Sequence, residues 1–240
     1  MDKPLIRCSS LGKIMGSAQS VPEDAPAHIR AIVDSKKRTD EEKKTLEIYK
    51  QTILSASAKT YLNGLAKEII YCYRKNLEIK YFKKGIECEQ SLIDLVNQVF
   101  GMFLEKNTER RSDEFITGEP DLLLEDTVID VKNAWSLDTF PVTPEEAHSD
   151  EYEWQIRGYF RLFNKQYGRV IYGLVDTPDD LIRYEQEDLH RVSHLPPKMR
   201  LTVCEYTRDM EKEAFMIEKV KSAQQYMLKQ IDRINAAHQF

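Results

Sequence analysis

The chain lacks most of the features that assign a sequence to a well-marked class. It has only 4 cysteines in 240 residues. Cys8, Cys72, Cys88 and Cys204 never approach the short spacing of a zinc knuckle or a CxxC redox pair. Buried free thiols in a reducing compartment are expected instead. No apolar run reaches the roughly 18 residues of a membrane span. Met1 to Gly16 lacks the uninterrupted apolar stretch and cleavage site of a secretory signal. The expectation is a cytoplasmic protein with no membrane partner. Internal repeats and low-complexity tracts are absent as well. So is any excess of basic charge: 35 Lys+Arg against 40 Asp+Glu give a net charge of −5. Global charge therefore does not advertise a nucleic-acid binder, although a local basic groove is compatible with an acidic total.

What is present is ample core material. At 41% hydrophobic and 31% charged residues, the chain departs from the disordered signature. The length suits one domain with a helical elaboration. The reading is a single domain over 1–240, with a mainly helical part at 1–80, a core at 81–208 and a C-terminal helix at 209–240. Pro22 to Arg38 reads as a loop and a short helix. Asp40 to Arg74 reads as two helices broken near Ser55-Ala56-Ser57. After Gly85, the residues Leu92, Leu95, Val96, Val99 and Phe100 recur at helical spacing. Glu89 falls on the same stripe, an unusual place for a carboxylate, because a buried charge is costly unless paired or bound to metal.

The middle of the chain carries the sheet signal. Asp121–Glu125 and Val128–Lys132 are apolar-rich runs separated by a polar turn, which predicts a β-hairpin. Residues 169–176 and 200–207 predict two more strands. Asp150 to Lys165 predicts a helix, with Tyr152, Ile156, Tyr159, Phe160 and Phe163 on one face. Asp209 to Ala237 predicts a long amphipathic helix. This order suggests an α/β fold, with a central mixed sheet flanked by helices.

The hairpin concentrates reactive groups. Side chains of a strand alternate between faces, so Asp130 and Lys132 project together and Ile129 and Val131 project the other way. A turn centred near Asp126 places Asp121 opposite Val131–Lys132. Two carboxylates and an amine in one patch suit phosphodiester hydrolysis. Mg²⁺ is held by one or two carboxylates while keeping water and phosphate oxygens in its shell, and a lysine can orient the attacking water or stabilise developing charge. Glu89 can add a third carboxylate. Trp135 and Trp154 read as core or groove wall before they read as base-stacking platforms, and His190 and His194 read as loop residues.

Four ordered pieces carry a family resemblance: Gly85-Ile86-Glu87-Cys88-Glu89 as a helix start, Gly118-Glu119-Pro120-Asp121, Ile129-Asp130-Val131-Lys132, and Gln155-Ile156-Arg157-Gly158-Tyr159. Over roughly residues 85–165 the chain resembles the PD-(D/E)xK nucleases, in the lambda-exonuclease/YqaJ-like and RecB-like branch. The resemblance implies a restriction-endonuclease-like core. It implies Asp121, Asp130, Glu89 and the Val131 carbonyl as metal ligands for two Mg²⁺ ions, with Mn²⁺ able to substitute, and Lys132 as the catalytic lysine. Gln155 and Tyr159, one helical turn apart, would position the motif residues or the DNA. Asp130 stands where many relatives have Glu, and both are allowed in the class. Arg7-Cys8-Ser9-Ser10 resembles the short serine motif of the lambda-exonuclease-like branch, which makes Arg7 and Ser10 DNA-binding candidates.

The implied activity is a phage-type recombination exonuclease that degrades one strand of linear duplex DNA, in the 5′ to 3′ direction. Its partners would be DNA ends, a single-strand annealing protein and other copies of itself. Two alternatives stand beside it: a PD-(D/E)xK endonuclease of restriction or repair, and a non-catalytic DNA-binding protein with a nuclease fold. The iron–sulfur nucleases of the RecB-like branch need three cysteines clustered near the C-terminus, and here only Cys204 follows residue 88.

Overall fold

Each apolar stripe finds a partner layer. In the computed structural model, which describes residues 3–74 and 79–238, chain order is β1 (Ile6–Arg7), α1 (Gly12–Met15), α2 (Ala27–Asp34), α3 (Asp40–Thr52), α4 (Ala56–Ile70), α5 (Lys80–Glu87), α6 (Glu89–Phe100), β2 (Arg111–Ser112), β3 (Ile116–Gly118), β4 (Leu122–Leu123), β5 (Thr127–Asn133), α7 (Pro144–Ala147), α8 (Asp150–Phe163), β6 (Tyr167–Gly173), α9 (Asp179–Ile182), β7 (Leu201–Thr207) and α10 (Met210–Ala237). A 3₁₀ turn, Cys8–Ser10, links β1 to α1.

The main sheet has the order β4-β5-β6-β7. β5 runs parallel to β6 and antiparallel to β4, and β6 runs antiparallel to β7. The expected mixed sheet is therefore present, with helices on both faces. On one face Ile129, Val131 and Ile171 pack against Leu92, Ile93 and Val96 of α6. On the other, Val128 and Val170 pack against Ile156, Phe160 and Phe163 of α8. Beyond α8, the chain ends converge: α10 packs on α4 and α8, and α1 touches all three. α2 and α3 close a small apolar cluster of their own around Ile29 and Leu46.

Local chemistry sets the helix ends. Thr39 and Glu42 form a reciprocal capping box on α3, and Ser55 caps α4, so the break expected near Ser55 is a helix start. Asp209 caps α10 by accepting from the Glu211 and Lys212 N–H groups. Gly101, in the left-handed region at φ 63°, ends α6.

Three expectations need correction. Gly85 does not begin a helix: it lies inside α5, and α6 starts afresh at Glu89 after a break at Cys88 (φ −100°, ψ 5°). The hairpin register also differs. Leu122 pairs with Ile129 and Leu123 with Val128, and the Leu124 N–H closes the turn on the Thr127 carbonyl at 2.9 Å. Asp121 therefore stands opposite Asp130 rather than Val131–Lys132. Finally, β1, β2 and β3 form a second sheet of order β1-β3-β2 that the sequence did not announce.

Candidate active site

β5 brings the reactive groups to the sheet centre, and β4 is short enough to leave them open. Pairing between β4 and β5 stops at Ile129. Past that point the edge of β5 is taken over by a side chain: Asp121 Oδ2 accepts from the Val131 N–H at 2.7 Å. A strand residue sends its N–H and C=O to the same edge, so the Val131 carbonyl also faces the gap beside Asp121. Asn107 fixes the approach to this point. Its Nδ2 donates to the Pro120 carbonyl at 2.9 Å, and its N–H donates to the Asp121 carbonyl at 2.7 Å.

Asp130 is buried, at 3% exposure. Gln155 Nε2 donates to its Oδ1 at 2.6 Å and to the Tyr159 hydroxyl at 2.8 Å. The Tyr159 hydroxyl in turn donates to the Glu119 carbonyl at 3.2 Å. One turn of α8 thus ties β5 to the segment leading into Asp121. Lys132 Nζ lies 2.6 Å from Asp130 Oδ2 and sits over the Tyr152 ring at 4.6 Å. Asp130 Oδ2 is thus a buried oxygen whose partner is the Lys132 ammonium. On α6, Glu89 pairs with Lys106.

A cleft of about 1010 Å³ opens above these groups. Its floor holds Glu89, Glu119, Asp121, Asp130 and Lys132, and its rim carries Arg7, Arg74, Lys106 and Arg110. Arg110 Nη2 meets Glu119 Oε2 at 2.9 Å. An acidic floor under a basic rim is the charge pattern that a metal-assisted reaction on a polyanion requires.

Burial and like charge set the electrostatics of the floor. Burial raises the Asp121 carboxyl above the usual carboxylate range, and the facing Asp130 raises it further. Burial pulls the Lys132 ammonium downward, but Asp130 outweighs it and the net shift is upward. The Tyr159 phenol is pushed well above its ordinary value by burial and by Asp130. Two facing carboxylates and an inward carbonyl form a hard-oxygen donor set that fits Mg²⁺ or Mn²⁺. Among the described residues, the group that brings three ligand atoms within 4.8 Å of one another is a different one, His148, Asp150 and Glu153. There Glu153 Oε1 is already held by Arg157 and Lys212.

The structure brings Glu89, Asp121, Asp130, Val131, Lys132, Gln155 and Tyr159 to one cleft. Arg7 also lines it. Ser10 does not: it is buried, while the adjacent Ser9 faces the cleft. Trp135 is buried outside the cleft lining, and its Nε1 donates to Glu185 Oε2 at 2.7 Å. The sequence reading missed Tyr152, Lys106, Arg110 and Arg74. Tyr152 was recoverable, since it precedes Gln155 by three positions on the same helix face. The three cations come from segments without periodicity, where nothing marks a side chain as inward.

No protein-family model and no curated protein sequence matches the chain. Solved structures do. A phage-related exonuclease from Haemophilus somnus 129PT superposes with a TM-score of 0.79 at 29% identity, covering 97% of this chain and 97% of that one. An alkaline exonuclease from Laribacter hongkongensis, LHK-Exo, superposes with a TM-score of 0.59 at 13% identity, covering 97% of this chain and 92% of that one. The same enzyme in complex with dAMP gives 0.60 at 14% identity over the same shares. The latter two show a common fold. The first extends the resemblance to the phage-type exonuclease branch from four short motifs to the whole chain.

Proposed function

We propose that this chain is a metal-dependent exonuclease that hydrolyses linear double-stranded DNA from an end, in the 5′ to 3′ direction, in phage-type recombination or end processing. The observation that carries the reading is the facing pair of Asp121 and Asp130 beneath a cation-rimmed cleft, two carboxylates whose mutual repulsion a divalent ion would relieve. The likeness in fold to exonucleases over nearly the full chain supports it.

Asp121, Asp130, Glu89 and the Val131 carbonyl would hold one or two Mg²⁺ ions. Such ions, when bound, lower the pKa of water and neutralise charge on a phosphoryl group. The chain's own groups do the rest. Gln155 holds Asp130 Oδ1 and Lys132 holds Oδ2, which fixes the carboxylate opposite Asp121. The Lys132 ammonium, held between Asp130 and the Tyr152 ring, donates toward the attacking water or a non-bridging phosphate oxygen. Water adds to phosphorus, the P–O3′ bond breaks, and the departing 3′ oxygen takes up a proton. Arg7, Arg74, Lys106 and Arg110 hold neighbouring phosphates.

The test uses linear duplex DNA with one 5′ phosphate, matched closed-circular DNA, and either Mg²⁺ or EDTA, with wild type and Asp130→Ala. Mg²⁺-dependent loss of the linear DNA alone, absent in Asp130→Ala, is the expected result. Cutting of the circle would replace the exonuclease reading with an endonuclease one. Intact DNA of both kinds, with folded protein, would remove the nuclease reading.

A further inference from the structure

A second cavity, of about 290 Å³, adjoins the cleft, and Arg7 and Arg74 line both. None of the floor carboxylates reaches it. One wall is a stripe of α4, in which Tyr61, Leu65 and Ile69 recur at four-residue spacing. Tyr73 follows at 49% exposure, and Met227 of α10 closes the back. Glu68 is the only acid among these lining residues.

A cavity lined by two tyrosines, aliphatic side chains and two arginines has a definite chemical complement. The ligand needs a flat face for the tyrosines and an anion for the arginines. A nucleotide has both, and the amino edge of a base can donate to Glu68. A lipid chain or an apolar peptide segment would leave the guanidinium groups without a partner.

The back of the cavity is tied to the rest of the fold. Ile6 N–H donates to the Phe115 carbonyl at 3.1 Å, and Gln224 Nε2 donates to the Pro4 carbonyl at 3.2 Å. Tyr61 lies under Lys13 Nζ at 5.2 Å. Tyr73, Arg7 and Arg74 are exposed and within reach of a ligand.

We infer that this cavity takes one unpaired nucleotide of the DNA strand that runs past the cleft. Its base lies against Tyr61, Leu65 and Tyr73, and its phosphate bridges Arg7 and Arg74. The inference rests on the nuclease reading and adds a base-accepting subsite to it. Such a subsite grips a strand end only after local melting, so it favours frayed or overhanging ends over fully paired ones.

The experiment measures equilibrium binding of two 3′-labelled duplexes, with Ca²⁺ replacing Mg²⁺. Both carry a two-nucleotide unpaired 5′ extension, which in one has abasic units in place of bases. Wild type is compared with Tyr73→Ala and Leu65→Trp, substitutions at positions outside the buried core. Wild type should bind the normal extension roughly tenfold more tightly than the abasic one. Both variants should lose that preference while keeping wild-type affinity for the abasic DNA. No preference in the wild type, whether both DNAs bind equally or neither binds, overturns the subsite, as does a preference that survives in both variants. If Mg²⁺-dependent cleavage of linear DNA is intact, the subsite alone has failed; if cleavage is absent too, the nuclease reading has failed with it.

Discussion

Gln155 is buried, and its amide fixes the Asp130 carboxylate. Outer partners of metal-ligating carboxylates affect metal affinity or activity by about 10–100-fold. Gln155→Ala should therefore lower the initial rate of linear-DNA digestion by at least about tenfold and raise the Mg²⁺ concentration needed for half-maximal rate, with an unchanged circular-dichroism spectrum. An unchanged Mg²⁺ dependence would assign Gln155 a packing role only. Further along the same helix, Gly158 sits where α8 crosses the Cys8–Ser10 turn. A Cβ there would lie 2.7 Å from Cys8 Sγ and from Leu11 Cδ1. Both neighbours are buried at 1% exposure or less and cannot yield easily. Gly158→Ala should cost about 1–3 kcal/mol by overpacking, read as a lower midpoint in urea denaturation. A midpoint equal to wild type would show that the turn is free to shift.

At the scale of elements, α10 depends on its ends and on one buried lysine. Asp209→Ala removes the cap of a 28-residue helix and should cost roughly 1 kcal/mol. Lys219 is 1% exposed, and its Nζ donates to the Met15 and Gly16 carbonyls, closing the C-terminal end of α1. Burial pulls its pKa from 10.5 down to about 8. Between those values the unfolded chain binds the proton and the folded one does not, so stability contributed by this group rises with pH across that window and is flat below it. The Tm of wild type relative to Lys219→Met should accordingly climb between pH 8 and 10.5, and parallel curves would show that Lys219 stays charged when folded. The same scale explains what was legible. β5, β6, β7, α6, α8 and α10 are long enough for a period of 2 or 3.6 to show, and Asp121, Asp130 and Lys132 came with the hairpin. The β1-β3-β2 sheet was invisible because strands of two or three residues have no period. The helix break at Cys88 was hidden because Gly85 and the apolar stripe suggested one start, whereas Lys84, buried against the Trp135 carbonyl at 2.8 Å, draws a separate α5 inward.

The whole molecule is acidic, at −5, so its attraction to DNA must come from the rim. Each phosphate that the rim no longer neutralises should reduce the slope of log affinity against log salt by about 0.9. Arg110→Ala should show that change for duplex DNA and affect sequences alike, because phosphate contacts carry no base information; an unchanged slope would leave Arg110 as a partner of Glu119 only. No helix among the described residues is long and apolar enough to cross a membrane. The bonds from α10 back to the first residues have a consequence in time. Gln224 and Lys219 hold carbonyls that lie 220, 204 and 203 positions earlier. Synthesis at about 5–20 residues per second puts roughly 10–40 s between the two ends. During that interval Arg7 and the turn after it are held by β3 and α8 but not yet by α10. The growing polypeptide thus keeps its first residues without their last support until translation is nearly done. Ribosome-bound chains arrested before Lys219 should be cut by protease across Pro4–Gly16 more readily than chains arrested well past α10, and equal resistance would show that β3 and α8 hold the segment alone.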